Sequence, residues 1–301
     1  MPVRTLGRTG EKVSLLGLGG AHIGRQADAD AVALVRSAID QGITFIDNAW
    51  DANGGKSETL IGRALRGGYR KRVFLMTRLD GRDAETAAGQ LDDSLKRLGT
   101  DHVDLLQFNE VIRDSDPDRI FADDGAAGAV LAAKKAGKTR FIGFSGHKRP
   151  SIHLQMLDAA RAYGLTFDAV QLPLNVMDGH FDNFEQQVLP RLVKEGAGVI
   201  AMKALGDHAI VDTGLVTPLE CWRYVMNLPT SVLVAGIDSP VVLESALQAA
   251  RQFRPLDAGA LSVIRAKTVD AARYGEQELY KTTTKFDGTV RHPEWLGPSP
   301  A

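Results

Sequence analysis

The sequence predicts an α/β fold, a closed (β/α)8 TIM barrel with an N-terminal β-hairpin and an added C-terminal helix and tail, and three observations point there. Eight short apolar runs recur roughly every 30 residues, the length of one strand–helix unit. The runs are dense in β-branched and aromatic residues and lack strict alternation, as expected of strands buried on both faces. Stretches with helical spacing lie between them, and eight such units close most naturally into a barrel.

Taken in order, residues 3–13, VRTLGRTGEKV, read as a hairpin around Thr9 and Gly10, placed to plug the barrel's bottom. The strands follow as SLLGLGG from Ser14, ITFIDNA from Ile43, VFLMTRL from Val73, VDLLQFN from Val103, TRFIGFSG from Thr139, AVQLPLN from Ala169, GVIAMKA from Gly198 and VLVAGID from Val232. Helical stretches such as DADAVALVRSAIDQG separate them. Glycines stop these helices (Gly42, Gly99, Gly137, Gly164, Gly196), and Ser57, Asp83 and Ser239 mark starts. An open doubly wound sheet would want about five or six strands and a Gly-rich first turn, and GLGG at 17–20 is too short for that fingerprint. Residues 256–301 read as a helix followed by a Pro/Gly-bearing tail, and 1–301 as a single domain with no linker.

Hydrophobic residues make up 44% and charged residues 24%, enough apolar material for one large core. The net charge of -1 gives no field that would draw the chain to nucleic acid or an anionic membrane, so a small-molecule substrate is the expected partner. Oligomeric state is not legible. Cys221 stands alone in a helical stretch beside Trp222 and reads as a buried, inert thiol. MPVRTLGRTG has neither an apolar signal core nor a transit pattern, and no run approaches 18 apolar residues, which places the protein in the cytoplasm. No metal site is expected.

In a (β/α)8 barrel the chemistry gathers at the C-terminal strand ends. Strands two, three and four end in Asp47, Arg78 and Asn109. A charge ending a buried apolar strand is costly unless paired, so Asp47 and Arg78, expected at matching heights on adjacent strands, read as an ion pair with Asn109 completing a polar cluster. A purely structural pair at the rim is the other reading.

RTLGRTGEKVSLLGLGG, FIDNAWDANGGKSETLIGRAL, VFLMTRL, LDDSLKRLGTDHVDLLQFNE and TRFIGFSGHK, in that order, resemble the aldo-keto reductases. The resemblance implies a barrel that binds NAD(H) or NADP(H) without a Rossmann motif and reduces aldehydes and ketones with an Asp-Tyr-Lys-His tetrad. Position by position, Asp47 matches the Asp, whereas the Tyr, Lys and His positions hold Ala52, Arg78 and Asn109. Ala52 has no proton to give, Arg78 keeps the charge but cannot shuttle a proton, and Asn109 can offer an amide hydrogen bond to an oxyanion. Losing general acid catalysis costs about 10²–10⁴-fold. Tyr69, Tyr163, Tyr224, Tyr274 and Tyr280 fall on helices or connections and do not replace the missing Tyr. His147, Asp51 and Glu110 are the substitute acids, and Trp50 reads as a wall of the substrate pocket.

The resemblance also implies cofactor positions. Ser145 and Gln171 match the residues that hold the nicotinamide carboxamide, with Gly146 where an Asn normally follows; Met202 lies under the nicotinamide, and Lys203 and Leu205 lead toward the pyrophosphate. In GIDSPVVLESAL, Gly236, Asp238, Ser239 and Ser245 match the adenosine-phosphate loop, and the Asp238 carboxylate would repel a 2′-phosphate, a lean to NAD(H). The expected function is therefore an NAD(P)H-dependent oxidoreductase acting on a small carbonyl or alcohol, with weakened or rerouted proton transfer. Its alternatives are a lyase, isomerase or cyclase on the same site and a cofactor sensor with little turnover; a further one is an Ala52 introduced to trap a complex.

Overall fold

In the computed structural model, which describes residues 1–298, β1 (Val3–Thr5) and β2 (Lys12–Ser14) form the antiparallel hairpin, with Val3 opposite Ser14. The end of the expected tail, 299–301, lies outside the described residues. The hairpin's turn passes under the barrel: Leu6 is fully buried, and the Arg8 N–H donates to the Gly196 carbonyl at 2.7 Å. Eight parallel strands then close on themselves: β3 (Leu16–Gly19), β4 (Phe45–Asp47), β5 (Phe74–Leu79), β6 (Val103–Phe108), β7 (Thr139–Ser145), β8 (Ala169–Pro173), β9 (Gly198–Met202) and β10 (Val232–Gly236), with β10 pairing back to β3.

The period of two along each strand sorts side chains into a barrel interior and an outer face under the helices. Inside, Leu6, Val13, Phe45, Phe74, Met76, Leu105, Ile200 and Val232 form an apolar plug, with Phe45 and Phe74 stacked at 5.5 Å. Two residues further along the same strands the inward positions become Asp47, Arg78, Gln107 and Gln171, so the polar layer sits above the plug. The interior has no slack at Gly143, where an added Cβ would press into the Ala169 carbonyl on β8. Gly143→Ala is expected to cost about 1–3 kcal/mol by overpacking, read as a lower guanidinium midpoint.

Asp83 and Ser239 cap their helices as expected, accepting from the Thr86 and Val242 N–H groups, and Gly99 and Gly164 end theirs in the left-handed conformation. Ser57 does not act as a cap. It lies inside the helix Lys56–Ala64, where its hydroxyl donates to the Gly20 carbonyl, because Gly55 already ends the preceding turn. Cys221 is buried, and burial pushes its thiol up to about 12, in line with an inert side chain. Among the described residues no helix is long and apolar enough to cross a membrane.

After the helix Ala258–Ala272 the tail folds back over the C-terminal ends of the strands. Lys281, its side chain fully buried, fixes the tail there by pairing with Asp178 at 2.7 Å and Glu278 at 3.0 Å. Segment 178–181 is thus partly an anchor: the Phe181 carbonyl also accepts from Lys281, and the Asp178 carboxylate accepts the Phe184 and Glu185 N–H groups.

Candidate active site

Asp47 and Arg78 do pair, at 3.2 Å, but not at matching heights. The register sets Ile46 opposite Leu75, so Asp47 falls opposite Met76 and Arg78 lies two residues further along. Strand stagger in a closed barrel produces this offset, and the long guanidinium arm reaches back across it. Gln171 bridges the pair: its amide donates to Asp47 Oδ2 at 2.9 Å and accepts from Arg78 Nη1 at 3.0 Å. Arg78 Nε donates to the Asn48 carbonyl as well. Burial raises the Asp47 carboxyl above its ordinary range, only partly offset by Arg78 and Gln171.

Asn109 does not join that triad. Its amide donates to Asp80 Oδ1 at 2.8 Å and accepts from the Ser145 hydroxyl at 3.2 Å, since β6 carries it toward the loop after β5. That loop also supplies Arg82, which has no exposed side chain and donates to Asp116 and to the carbonyls of Asp80, Asn109 and Glu110. Burial, then the charges of Asp51 and Glu110, push the Asp80 carboxyl well above the usual range.

The substitute acids fare differently. Glu110 accepts the N–H groups of Gly288 and Thr289 and the Thr289 hydroxyl, each at 2.8 Å, so its carboxylate is a clamp on the tail. His147 Nε2 sits 2.9 Å from Asp287 Oδ1, and Lys148 holds the other oxygen at 2.7 Å, a second clamp. Tyr280, expected away from the site, arrives with the tail edge-on to His147 at 6.4 Å. Its hydroxyl is committed, accepting from Asn175 at 2.7 Å and donating to Glu278 at 2.6 Å, and burial pushes the phenol well up. Trp50 packs edge to face on Trp295 of the tail, lies under Arg97 and donates to Asp93 at 3.3 Å, which makes it part of the wall joining tail and outer helix. Ala52 is 9% exposed in the turn between β4 and the next helix.

Across the barrel mouth, Lys203 takes a left-handed conformation (φ 63°) just past Met202 at the end of β9. Its ammonium rests 4.3 Å from the Phe286 ring centre and 5.8 Å from that of Tyr280, with no carboxylate within 4 Å among the described residues, and burial lowers it to about 8. Leu205 packs half-buried on the core. The His22 ring lies on Gly236 and leaves no room for a Cβ; burial, then Arg25, hold this imidazole below its ordinary value. Asp238 is exposed, with its carbonyl bound by Gln26; Ser239 is a helix cap and Ser245 bonds back to the Val241 carbonyl. Gly146 has no space for a side chain, since a Cβ there would press on the Val111 carbonyl and stand 2.8 Å from His153. Among the described residues no three His, Cys, Asp or Glu side chains gather as a metal site.

The sequence model of the aldo/keto reductase family matches residues 15–214. The chain belongs to the aldo/keto reductase family. It is 33% identical to L-galactose dehydrogenase of Arabidopsis thaliana over 224 residues, 70% of this chain and 68% of that protein. It is 30% identical to aldo-keto reductase YhdN of Bacillus subtilis over 206 residues, 63% of this chain and 58% of the relative. In fold it resembles the holo form of aldo-keto reductase AKR11C1 from Bacillus halodurans, with a TM-score of 0.76 at 21% identity, covering 92% and 99% of the two chains. Membership places it among the oxidoreductases.

For an aldo/keto reductase the mouth is crowded by residues that sequence reasoning passed over: Asp80, Arg82, His22 and Arg25, and Glu278 and Asp287 of the tail. The first four stand just past strand ends, in LDGR after β5 and AHIGR after β3, and the rule that singled out Asp47 and Arg78 covers them if extended a few residues into each loop. The tail residues carried no such signal.

Proposed function

We propose that this protein is an NAD(H)-linked reductase of a small carbonyl compound, or the dehydrogenase of the corresponding alcohol. The observation that carries the reading is Lys203, a cation at the barrel mouth without a carboxylate partner within 4 Å among the described residues, beside His22 and Arg25. Such a cluster fits a diphosphate, whose charge would offset the cost of holding the Lys203 ammonium out of water, with the exposed Arg25 adding a second cation. Lys203 and Arg25 would hold the pyrophosphate, Ser145 and Gln171 the carboxamide, and the exposed Asp238 would disfavour a 2′-phosphate. Bound there, the reduced nicotinamide supplies hydride to the carbonyl carbon. The Arg78 guanidinium, fixed by Asp47 and Gln171, polarises the carbonyl oxygen, and the tail excludes water. Because L-galactose is named in the plant relative, hydroxy-aldehydes come first in a substrate panel.

Titration of intrinsic tryptophan fluorescence tests this. NADH is expected to bind at least fivefold more tightly than NADPH, and Lys203→Met to weaken NADH tenfold or more, about 1.4 kcal/mol. Failure of both dinucleotides to bind would overturn the reading.

A further inference from the structure

We propose that Asp51 is the general acid of this site, delivering to the substrate oxygen the proton that Ala52 cannot supply. The inference rests on the reductase reading above. Asp51 is adjacent to Ala52 in the turn after β4, and among the described residues its carboxylate accepts from no group but its own N–H. The other substitute acids read from the sequence are committed, Glu110 to the tail and His147 to Asp287, and the Tyr280 hydroxyl is held by Asn175 and Glu278. Asp51 faces the same space as Glu110, since a Cβ placed on Gly288 would lie 3.5 Å from Asp51 Oδ2 and 3.3 Å from Glu110 Oε1.

An independent observation marks this space as a place for protons. Asp80, with no exposed surface, leaves Oδ2 without a partner, and after burial the charges of Asp51 and Glu110 act most strongly against its ionisation, with Asn109 and Arg82 opposing them. Burial and crowded negative charge resist ionisation, so Asp80 and Asp51 both hold their protons above the ordinary carboxyl range. Asp51 keeps some solvent access, yet burial and then the Glu110 charge push it up to about 6, while Arg78 opposes the shift and Glu58 adds to it. On the tail, Asp287, next to Gly288, is spent on His147 and Lys148.

In the reducing direction hydride from NADH forms the new C–H bond, and the carbonyl π pair moves onto oxygen. That oxygen takes the Asp51 proton, leaving a carboxylate, which water reprotonates through the partly open side of the turn. NADH is oxidised and the carbonyl reduced, with no further reagent.

The test uses the full chain with NADH and a panel of benzaldehyde and hydroxy-aldehydes. Wild-type kcat is expected to fall as pH rises through about 6, because the acid must be protonated. Asp51→Asn is expected to lose at least about 100-fold at pH 5.5 and to lose that limb, with NADH affinity within threefold of wild type. Glu110→Gln, which keeps an acceptor oxygen for the tail, is expected to move the limb to lower pH. A readout apart from turnover is the carboxylic C=O stretch in difference infrared spectra, lost between pH 5 and 7 in wild type and absent from Asp51→Asn. An Asp51→Asn protein with wild-type rate and pH profile overturns the proposal and leaves the reductase reading standing. Wild-type protein that binds NADH but reduces no aldehyde overturns the proposal too, and failure to bind NADH removes the reading beneath it.

Discussion

Arg82→Met is expected to cost about 3–5 kcal/mol, a large share of the roughly 5–15 that a domain possesses. Arg82 has no exposed side chain, and its guanidinium serves Asp116 at 3.0 Å and the carbonyls of Asp80, Asn109 and Glu110 at 2.7, 2.8 and 3.0 Å. Methionine fills similar volume but strands three carbonyls and a carboxylate in a dry interior. Lysine would not rescue, because a single ammonium cannot span four acceptors held in a fork. Burial works against Asp116 ionisation, but Arg82 and the N–H groups of Arg113 and Ile112 more than compensate and hold the carboxyl below its ordinary value. A lowered carboxyl contributes stability that is present above its unfolded value and lost as pH falls through the folded one. Without Arg82 that contribution is already missing at pH 7, so the variant's midpoint should fall less between pH 7 and pH 4 than the wild type's. Guanidinium midpoints at pH 7 and pH 4 measure both effects, and an unchanged midpoint at pH 7 would show the network to be dispensable.

What the sequence disclosed follows from what is periodic in it. The strands were legible because a buried parallel strand needs a dense apolar run, and the inward parity of Phe45 with Asp47, or Phe74 with Met76 and Arg78, follows from the period of two. The pairing of Asp47 with Arg78 was legible from the cost of lone charges, yet its two-residue offset was not, since stagger is a property of the closed barrel rather than of any strand. Asn109 shows the same limit: its residue type gave a hydrogen-bonding role, and only packing turned it to Asp80 and Ser145. The tail was least legible. Tyr280 and Lys281 sit in a single helical turn, Leu279–Thr282, and Glu278 and Asp287 just outside short helical turns, and their partners, Asp178, Asn175 and His147, lie more than a hundred residues earlier. Nothing local encodes a contact at that separation.

Restoring the hydroxyl by Ala52→Tyr is expected to raise kcat/KM for benzaldehyde at least tenfold at pH 7. With its carboxyl at about 6, Asp51 is protonated in roughly one molecule in ten at pH 7, whereas a phenol is almost fully protonated there. The Arg78 guanidinium, held by Asp47 and Gln171, would lower the phenol pKa by stabilising phenolate, although with a pKa above about 12 it cannot relay protons as a lysine can. The gain is therefore bounded below by the protonated fraction and above by the roughly 10²–10⁴-fold worth of a well-placed acid. The acid limb of the pH profile should move from near 6 toward the phenol range. In an Asp51→Asn background the same substitution should recover the lost rate, because the two acids serve one oxygen and their effects are not additive. If Ala52→Tyr gives no gain in either background while NADH still binds, proton delivery is not what limits this enzyme, and chemistry without a protonated oxyanion becomes the better account of Arg78 and Asn109.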